Sequence, residues 1–474
     1  MRILSIISML LFATLLKAQD LKPLPPVPTK YQQQWQEMEF YIFVHFGPNT
    51  FTDKEWGAGN EPEDAFNPTQ MDCKQWVRIA KAAGAKGIII TAKHHDGFCL
   101  WPSKYSNHTV KQSKWRNGKG DVLKDLSRAC KEAGLKFGVY ISPWDRNHPA
   151  YGTPAYNDVY INTMKEIFSK YGPIWELWWD GANGEGPNGK KMVYDFHRFE
   201  ETIRKISPAT VIFSDIGPDI RWIGNEKGIA GETNWNLLDT AGFKRGNGAP
   251  ETDTLNSGNV NGKNWIPGEA DVSIRPGWFY HKEEDQKVKT PEQLFDLYLK
   301  SVGRGTNLLL NVPPDRRGLM TSYDSAALMG FKKLREDNFK YNLIKNESVQ
   351  IVDNKNQRIT FHLSDENSST FDSLPSSNHS SVYIKCKEKK KINCVVLQEP
   401  IAMGQRISEF KVLLLNDKDE PIREISGTTI GRKRILTFDQ TEISGMSIRI
   451  DQSKDLPLLS EIAAYNILLS PVTK

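Results

Sequence analysis

Beyond residue 39 the chain alternates between two textures. Short apolar runs rich in β-branched and aromatic residues stand at 40–46, 87–91, 137–141, 174–179, 211–213 and 307–312. Between several of them lie stretches with helical periodicity. One covers 69–83 and stops at Gly84; another covers 121–133 and stops at Gly134. A third, 158–170, ends before Gly172-Pro173, and a fourth, 192–206, ends before Ser207-Pro208. A fifth, 291–302, follows Thr290, a good N-cap, with Pro291 at the first helical position. Strand-helix alternation of this kind predicts parallel strands joined by crossover helices.

The residues after each strand choose between an open sheet and a barrel. No G-x-G-x-x-G or P-loop follows the first strand, so a nucleotide-binding sheet loses its main support. Instead the strands run out into polar and aromatic side chains: His45, His94-His95-Asp96, Trp144-Asp145, Asp180 and Asp215. A (β/α)8 barrel assembles its site from many strand ends, whereas an open sheet concentrates ligands at one switch point. The expected fold is therefore a (β/α)8-like, TIM-type barrel over residues 20–340. Residues 222–290, rich in Gly, Asn and Trp, break the alternation and read as functional loops, so eight strands are not counted from sequence. From about 346 to 474 short alternating runs separated by polar turns predict a C-terminal all-β sandwich, with runs at 358–363, 381–386, 393–397, 410–415, 434–438 and 446–450.

The two ends of the barrel segment add detail. Residues 1–19, with Arg2 ahead of an apolar stretch too short to span a bilayer, read as a signal peptide. The expectation is an exported protein, periplasmic or secreted, with no membrane span. Residues 20–30 are Pro-rich and should form an extended tether. The formal net charge of +5 is small, and the run Lys387–Lys391 reads as a solvated strand end, so no nucleic-acid partner is expected. Five cysteines, none in a C-x-x-C pair, are too few and too odd in number for a disulfide framework and read as buried small hydrophobes.

The candidate chemistry sits at the strand ends. Asp180 follows the bulky run 174–179 and precedes Gly181, which places a carboxylate at the barrel mouth among aromatics. That suits a nucleophile at an anomeric carbon, and Asp-Gly is equally good turn chemistry. Adjacent His94 and His95 point apart in extended backbone, so sugar hydroxyls suit them better than a shared metal. His45 ends the first strand in the same way. Of thirteen tryptophans, several near strand ends or in the irregular segment (Trp56, Trp144, Trp178, Trp179, Trp222 and Trp278) could stack on the C–H faces of sugars, while core packing suits Trp76 and Trp178 better. Asp215, Glu226, Glu232 and Glu269 are all candidates for a second carboxylate, and the residues alone leave that choice open.

Six stretches together resemble the α-L-fucosidases of glycoside hydrolase family 29: FVHFGPNTFTDKEWG (43–57), KGIIITAKHHDGFCLWPSKYS (86–106), GLKFGVYISPWDRN (134–147), LWWDGANG (177–184), DVSIRPGWFYH (271–281) and GTNLLLNVPPDRRG (305–318). The resemblance implies a retaining hydrolase whose nucleophile is the Asp of W-W-D-G, here Asp180. It implies fucose contacts from His45, Glu55, Trp56, His94, His95 and Trp278. The stretch RWIGNEKG (221–228) is similar to the branch that cleaves α-1,3/1,4-linked fucose from Lewis-type glycans, which makes Glu226 the acid/base and Glu269 the fallback. In this reading the substrate is a fucosylated oligosaccharide, with neither metal nor organic cofactor. The alternatives are a broad-specificity enzyme acting on α-1,2 or α-1,6 fucose, and a non-catalytic fucose-binding lectin. Residues 393–415 resemble a galactose-binding-like sandwich, expected to brace the barrel rather than bind glycan.

Overall fold

The computed structural model describes residues 21–246, 248–352 and 357–468, so the expected leader at 1–19 lies outside the described residues. Eight parallel strands close into a barrel in chain order: β1 Phe40–Val44, β2 Gly87–Lys93, β3 Lys136–Ile141, β4 Glu176–Trp178, β5 Val211–Ser214, β6 Ile220–Trp222, β7 Gly268–Ser273 and β8 Asn307–Asn311. The long helices are α1 Lys30–Gln36, α2 Cys73–Ala82, α3 Val122–Ala133, α4 Ala155–Tyr171, α5 Phe196–Ile206, α6 Pro291–Lys300 and α7 Ser322–Asn338.

Local signals account for the helix ends. Asp72 and Asp121 cap α2 and α3 by accepting main-chain N–H groups of the first turn. Gly134 closes α3 at φ 74°, a left-handed cap. Thr290 forms a capping box with Gln293 ahead of Pro291. The helix α7 was not expected from the sequence.

The period of two along each strand sorts side chains between two cores. On β1, Phe40, Ile42 and Val44 join the outer core against the helices, while Tyr41 and Phe43 face the interior with Ile89, Tyr140, Trp178, Phe213 and Leu309. Continuing those inward rows beyond the apolar layers brings up His45 after Phe43, Asp180 after Trp178, and Asn311 after Leu309. The barrel interior is thus packed below and polar at its C-terminal mouth.

Residues 222–290 are the main departure from expectation. They hold the barrel strand β7, whose inward residues Glu269, Asp271 and Ser273 are polar, so no apolar alternation announces it. Only residues 215–219 separate β5 from β6, with no helix between them. A short antiparallel pair, Leu237–Leu238 with Asn264–Trp265, fills part of the excursion before β7.

The C-terminal part is antiparallel β throughout. Its large sheet holds β9 Val349–Val352, β10 Gln357–Thr360, β11 Ser380–Gln398, β12 Ile407–Leu415, β13 Pro421–Gly427, β14 Arg434–Ser453 and β15 Glu461–Tyr465. Pairs of runs expected as separate strands are single long strands here, β11 and β14, bent by register shifts. The run Lys387–Lys391 lies in mid-strand on β11, mostly exposed, rather than at a strand end. This part packs on the barrel: Phe339 meets Tyr465 edge-on at 5.2 Å, and Gln405 joins Asn236 at 2.7 Å. The Pro-rich tether follows the same side, with Leu24 N donating to Met403 O at 3.0 Å. All five cysteines are buried and free.

Candidate active site

A cavity of about 160 Å³ opens at the C-terminal ends of the barrel strands, lined by His45, Glu55, Trp56, His94, His95, Asp180, Glu226 and Trp278. Every one of these had been singled out from sequence. Phe43, Tyr140, Trp178, Ala182 and Asp271 complete the wall.

Two donors aim the Asp180 carboxylate. Tyr140 Oη donates to its Oδ2 at 2.9 Å, and the Ala182 N–H donates to its Oδ1 at 2.7 Å. Burial, then the Asp180 charge, pushes the Tyr140 hydroxyl well above its usual range, so it remains a donor. Trp178 forms the floor, stacked on Phe213 with ring centres 3.9 Å apart and fixed by its indole N–H to Glu269 at 2.8 Å.

The three histidines are neutral hydrogen-bonding groups. Asn311 uses its Nδ2 to donate to Ser273 Oγ and Trp278 O, so the atom facing His45 is its carbonyl oxygen. His45 Nδ1, 2.9 Å from that oxygen, must carry the proton, which leaves Nε2 as an acceptor for a hydroxyl. Burial holds the His45 pKa down to about 3. Ser142 Oγ donates to Trp144 O, so it accepts from His95 Nδ1 at 2.8 Å. His95 Nε2 then faces Asp180 Oδ2 at 3.7 Å, too far for a direct bond. His94 is buried with Nδ1 unpartnered, and burial, then the neighbouring His95 and His45, keeps it neutral. Among the described residues no group of three His, Cys, Asp or Glu is placed to hold a metal ion.

Glu226 reaches the cavity from the loop after β6, exposed at the rim, and accepts from Trp278 Nε1 at 3.2 Å. Gly224, at φ 78° and with Thr252 O 2.9 Å from where a Cβ would fall, makes the turn that presents it. Trp278 in turn lies 5.0 Å from the His45 ring. Trp56 stands at the rim, 56% exposed, with ring edges against His95 and Trp144.

The remaining acids fall elsewhere. Glu269 is not in the cavity wall. It sits one inward layer below Asp271, fully buried, bonded to Tyr41 and Trp178 and paired with the buried Glu176. Burial lifts its carboxyl to about 7, and that of Glu176 rises too. Glu232 is largely exposed and pairs with Arg304 at 3.2 Å. Asp215 packs against Gly181 outside the lining, its carboxyl raised to about 6 by burial and by Asp180.

Sequence reasoning had not singled out Asp271, Tyr140 and Asn311. Asp271 is buried, accepts from Trp222 Nε1 at 2.9 Å, and is pushed well above the carboxylate range by burial, then by Glu226 and Glu269. The inward parity of β3 and β8 was the signal that could have found Tyr140 and Asn311, whereas the polar inner face of β7 offered none for Asp271.

Comparison with known proteins bears on what this arrangement does. The family model described as alpha-L-fucosidase matches residues 60–334. The chain is 42% identical over 452 residues to Alpha-L-fucosidase 1 of Arabidopsis thaliana, covering 94% of this chain and 88% of that protein. A putative alpha-L-fucosidase from Bacteroides ovatus is similar in structure at TM-score 0.81 and 42% identity, over 94% of this chain and 76% of that one. A Ruminococcus gnavus GH29 fucosidase solved in complex with fucose matches at TM-score 0.85 and 31% identity, over 95% of this chain and 97% of that one.

Proposed function

The chain belongs to the α-L-fucosidase family, glycoside hydrolase family 29, and from that premise we propose that it is a retaining exo-acting fucosidase with Asp180 as nucleophile and Glu226 as acid/base. The observation that carries this reading is the shared cavity. Asp180, oriented by Tyr140 and the Ala182 N–H, and Glu226, tethered by Trp278, line one hollow of about 160 Å³. A hollow of that size suits a single terminal sugar rather than the interior of a chain.

The chemistry follows from the two carboxyl groups. Asp180 attacks C1 of fucose while Glu226, in its acid form, donates a proton to the departing oxygen. Glu226 then takes a proton from water, which attacks C1 and releases Asp180 with overall retention. The neutral imidazoles His45, His94 and His95 offer acceptors and donors to the ring hydroxyls, and Phe43 and Trp278 offer apolar surface to the C5 methyl. Glu55 completes the hydroxyl contacts and Trp56 caps the rim.

The preferred substrate in this reading is α-1,3/1,4-linked fucose on branched, Lewis-type glycans. The support is the stretch RWIGNEKG, whose Glu226 lies in the cavity wall while Glu269 does not. The leader-like residues 1–19 support export to the periplasm or beyond. The C-terminal β part braces the barrel, as its contacts with residues 234–236 and with Phe339 suggest.

A panel of Lewis-type, α-1,2- and α-1,6-fucosylated oligosaccharides and an aryl fucoside, with released fucose measured and its anomer followed by NMR, tests the reading. Rapid release of the α-anomer from Lewis-type glycans and slow turnover of the aryl fucoside are expected. Preferential release from α-1,2 or α-1,6 linkages would replace the linkage assignment, and binding without release would make the pocket a lectin site.

A further inference from the structure

We propose that His281 is a positioning residue for Glu55, and through it for the Trp278 segment, locking two loops of the sugar pocket into one unit. This rests on the reading of Glu55 and Trp278 as fucose contacts. His281 itself lies outside the cavity wall. Its Nε2 is 2.7 Å from Glu55 Oε1, and its Nδ1 is 2.8 Å from Asp53 Oδ1. Asp53 and Glu55 belong to the loop after β1, whereas His281 follows the loop after β7, so the ring ties the two together.

The geometry dictates the charge on the ring. A neutral imidazole has one N–H and one lone pair, so either tautomer would set a lone pair against a carboxylate. Only the imidazolium donates at both ends. Burial opposes that charge, but the bonds to Asp53 and Glu55 and the charges of both acids outweigh it and raise the His281 pKa. The other charged groups around the clamp are Arg316, 3.5 Å from Asp53; Glu283, close to Asp53; and Glu284, which accepts from Gly277 N at 3.2 Å.

Glu55 is held at three points. Its Oε2 accepts from Trp278 N at 2.8 Å, and its Oε1 accepts from Phe279 N at 3.1 Å as well as from His281. The seat exists because residue 277 is glycine: a Cβ there would fall 2.6 Å from Glu55 Oε1. The tie continues into the pocket, since Trp278 contacts His45 and donates to Glu226.

The sign of the pH effect follows. A histidine whose folded pKa exceeds its free value keeps its clamp below that free value and loses it as pH rises through the folded one. Fucosyl fluoride isolates this effect, because fluoride departs without a proton and removes the general acid from the glycosylation step.

The test is kcat/KM for α-L-fucosyl fluoride against pH, using the full chain. Wild type should fall on the alkaline side. His281→Gln should lose on the order of 10- to 100-fold at pH 6, mostly in KM, and should lack that alkaline fall. Asp53→Asn should move the fall to lower pH. Long-range proton–nitrogen spectra of 15N-histidine-labelled wild type should place both His281 ring nitrogens in the imidazolium region at pH 6. An alkaline fall unchanged in His281→Gln, or a neutral His281 at pH 6, would overturn the proposal. If His281→Gln does not fold, the wild-type spectrum and Asp53→Asn decide it. If wild type does not turn over fucosyl fluoride, the fucosidase reading of the pocket fails, while the spectrum still reports the charge on the clamp.

Discussion

The hydroxyl of Tyr140 lies 2.9 Å from Oδ2 of Asp180 and is the side-chain hydrogen bond that sets the plane of that carboxylate. Its ring packs at 5.4 Å on Trp178 and at 5.7 Å, nearly parallel, on His94. Tyr140→Phe retains this packing and deletes only the donor. Hydrogen bonds to charged groups contribute about 1.5–3 kcal/mol, so kcat should drop by roughly 10- to 100-fold with little change in melting temperature. Steady-state kinetics on one substrate beside a thermal melt decides it. An unchanged kcat would show that the Ala182 N–H aims the nucleophile unaided.

Asp180→Asn keeps the shape, and its single amide oxygen can still accept from one of the two donors, Tyr140 Oη or Ala182 N, but amide oxygen is a poor nucleophile. Turnover should fall by roughly three orders of magnitude or more while the fold persists. Unlike loss of an acid catalyst, this loss should not be repaired by a better leaving group. Appreciable hydrolysis of fucosyl fluoride by pure Asp180→Asn would remove Asp180 from the nucleophile's role.

The inward rows explain which parts of this site could be read from sequence. His45, Asp180 and the His94-His95 pair follow strands with strong apolar runs, so parity carried them to the mouth of the barrel. The strand β7 escaped because Glu269, Asp271 and Ser273 make its inner face polar, and β6 escaped because its three residues have Arg221 at their centre and, unlike those of β4, sit in no longer apolar run. Choosing between Glu226 and Glu269 required depth, and depth depends on a layer assignment unavailable without β7. Only the resemblance of the G-N-E stretch separated them. The clamp of His281 was invisible for a different reason. Its two acids come from a loop more than 200 positions earlier in the chain, and no local pattern encodes that meeting.

Asp271 offers a charge-state prediction. It is buried beside Trp222 and held well above the usual carboxylate range by burial, then by Glu226 and Glu269. An acid with a raised folded pKa adds stability at low pH and loses it as pH climbs through the folded value. Asp271→Asn imitates the protonated acid. It should keep kcat/KM within a few fold of wild type and melt higher than wild type at alkaline pH, whereas Asp271→Ala should lose activity at every pH. Equal losses in the Asn and Ala variants would mean that the ionised form is required.

Glu226 and Glu269 make the sharpest contrast, because one lines the cavity and the other lies beneath its floor. An acid catalyst matters most when the leaving group is a sugar alcohol and least when it departs unaided. Glu226→Ala should therefore lose far more activity on a Lewis-type oligosaccharide than in glycosylation by fucosyl fluoride. Its second step then lacks a base, so azide should restore part of the turnover and yield fucosyl azide of retained configuration. Glu269→Gln should show neither signature. Its carboxyl, lifted to about 7 by burial and coupled to Glu176, stabilises the fold while protonated, and wild type should lose that contribution as pH rises from about 4.5 to 7. The amide removes the ionisation, so Glu269→Gln should flatten the decline of melting temperature between about pH 4.5 and 7 and leave leaving-group dependence as in wild type. If azide rescue and leaving-group dependence appear in Glu269→Gln and are absent from Glu226→Ala, a buried carboxyl one layer below the cavity is reaching the substrate. Both the acid/base assignment and the linkage preference drawn from the G-N-E stretch then fall together.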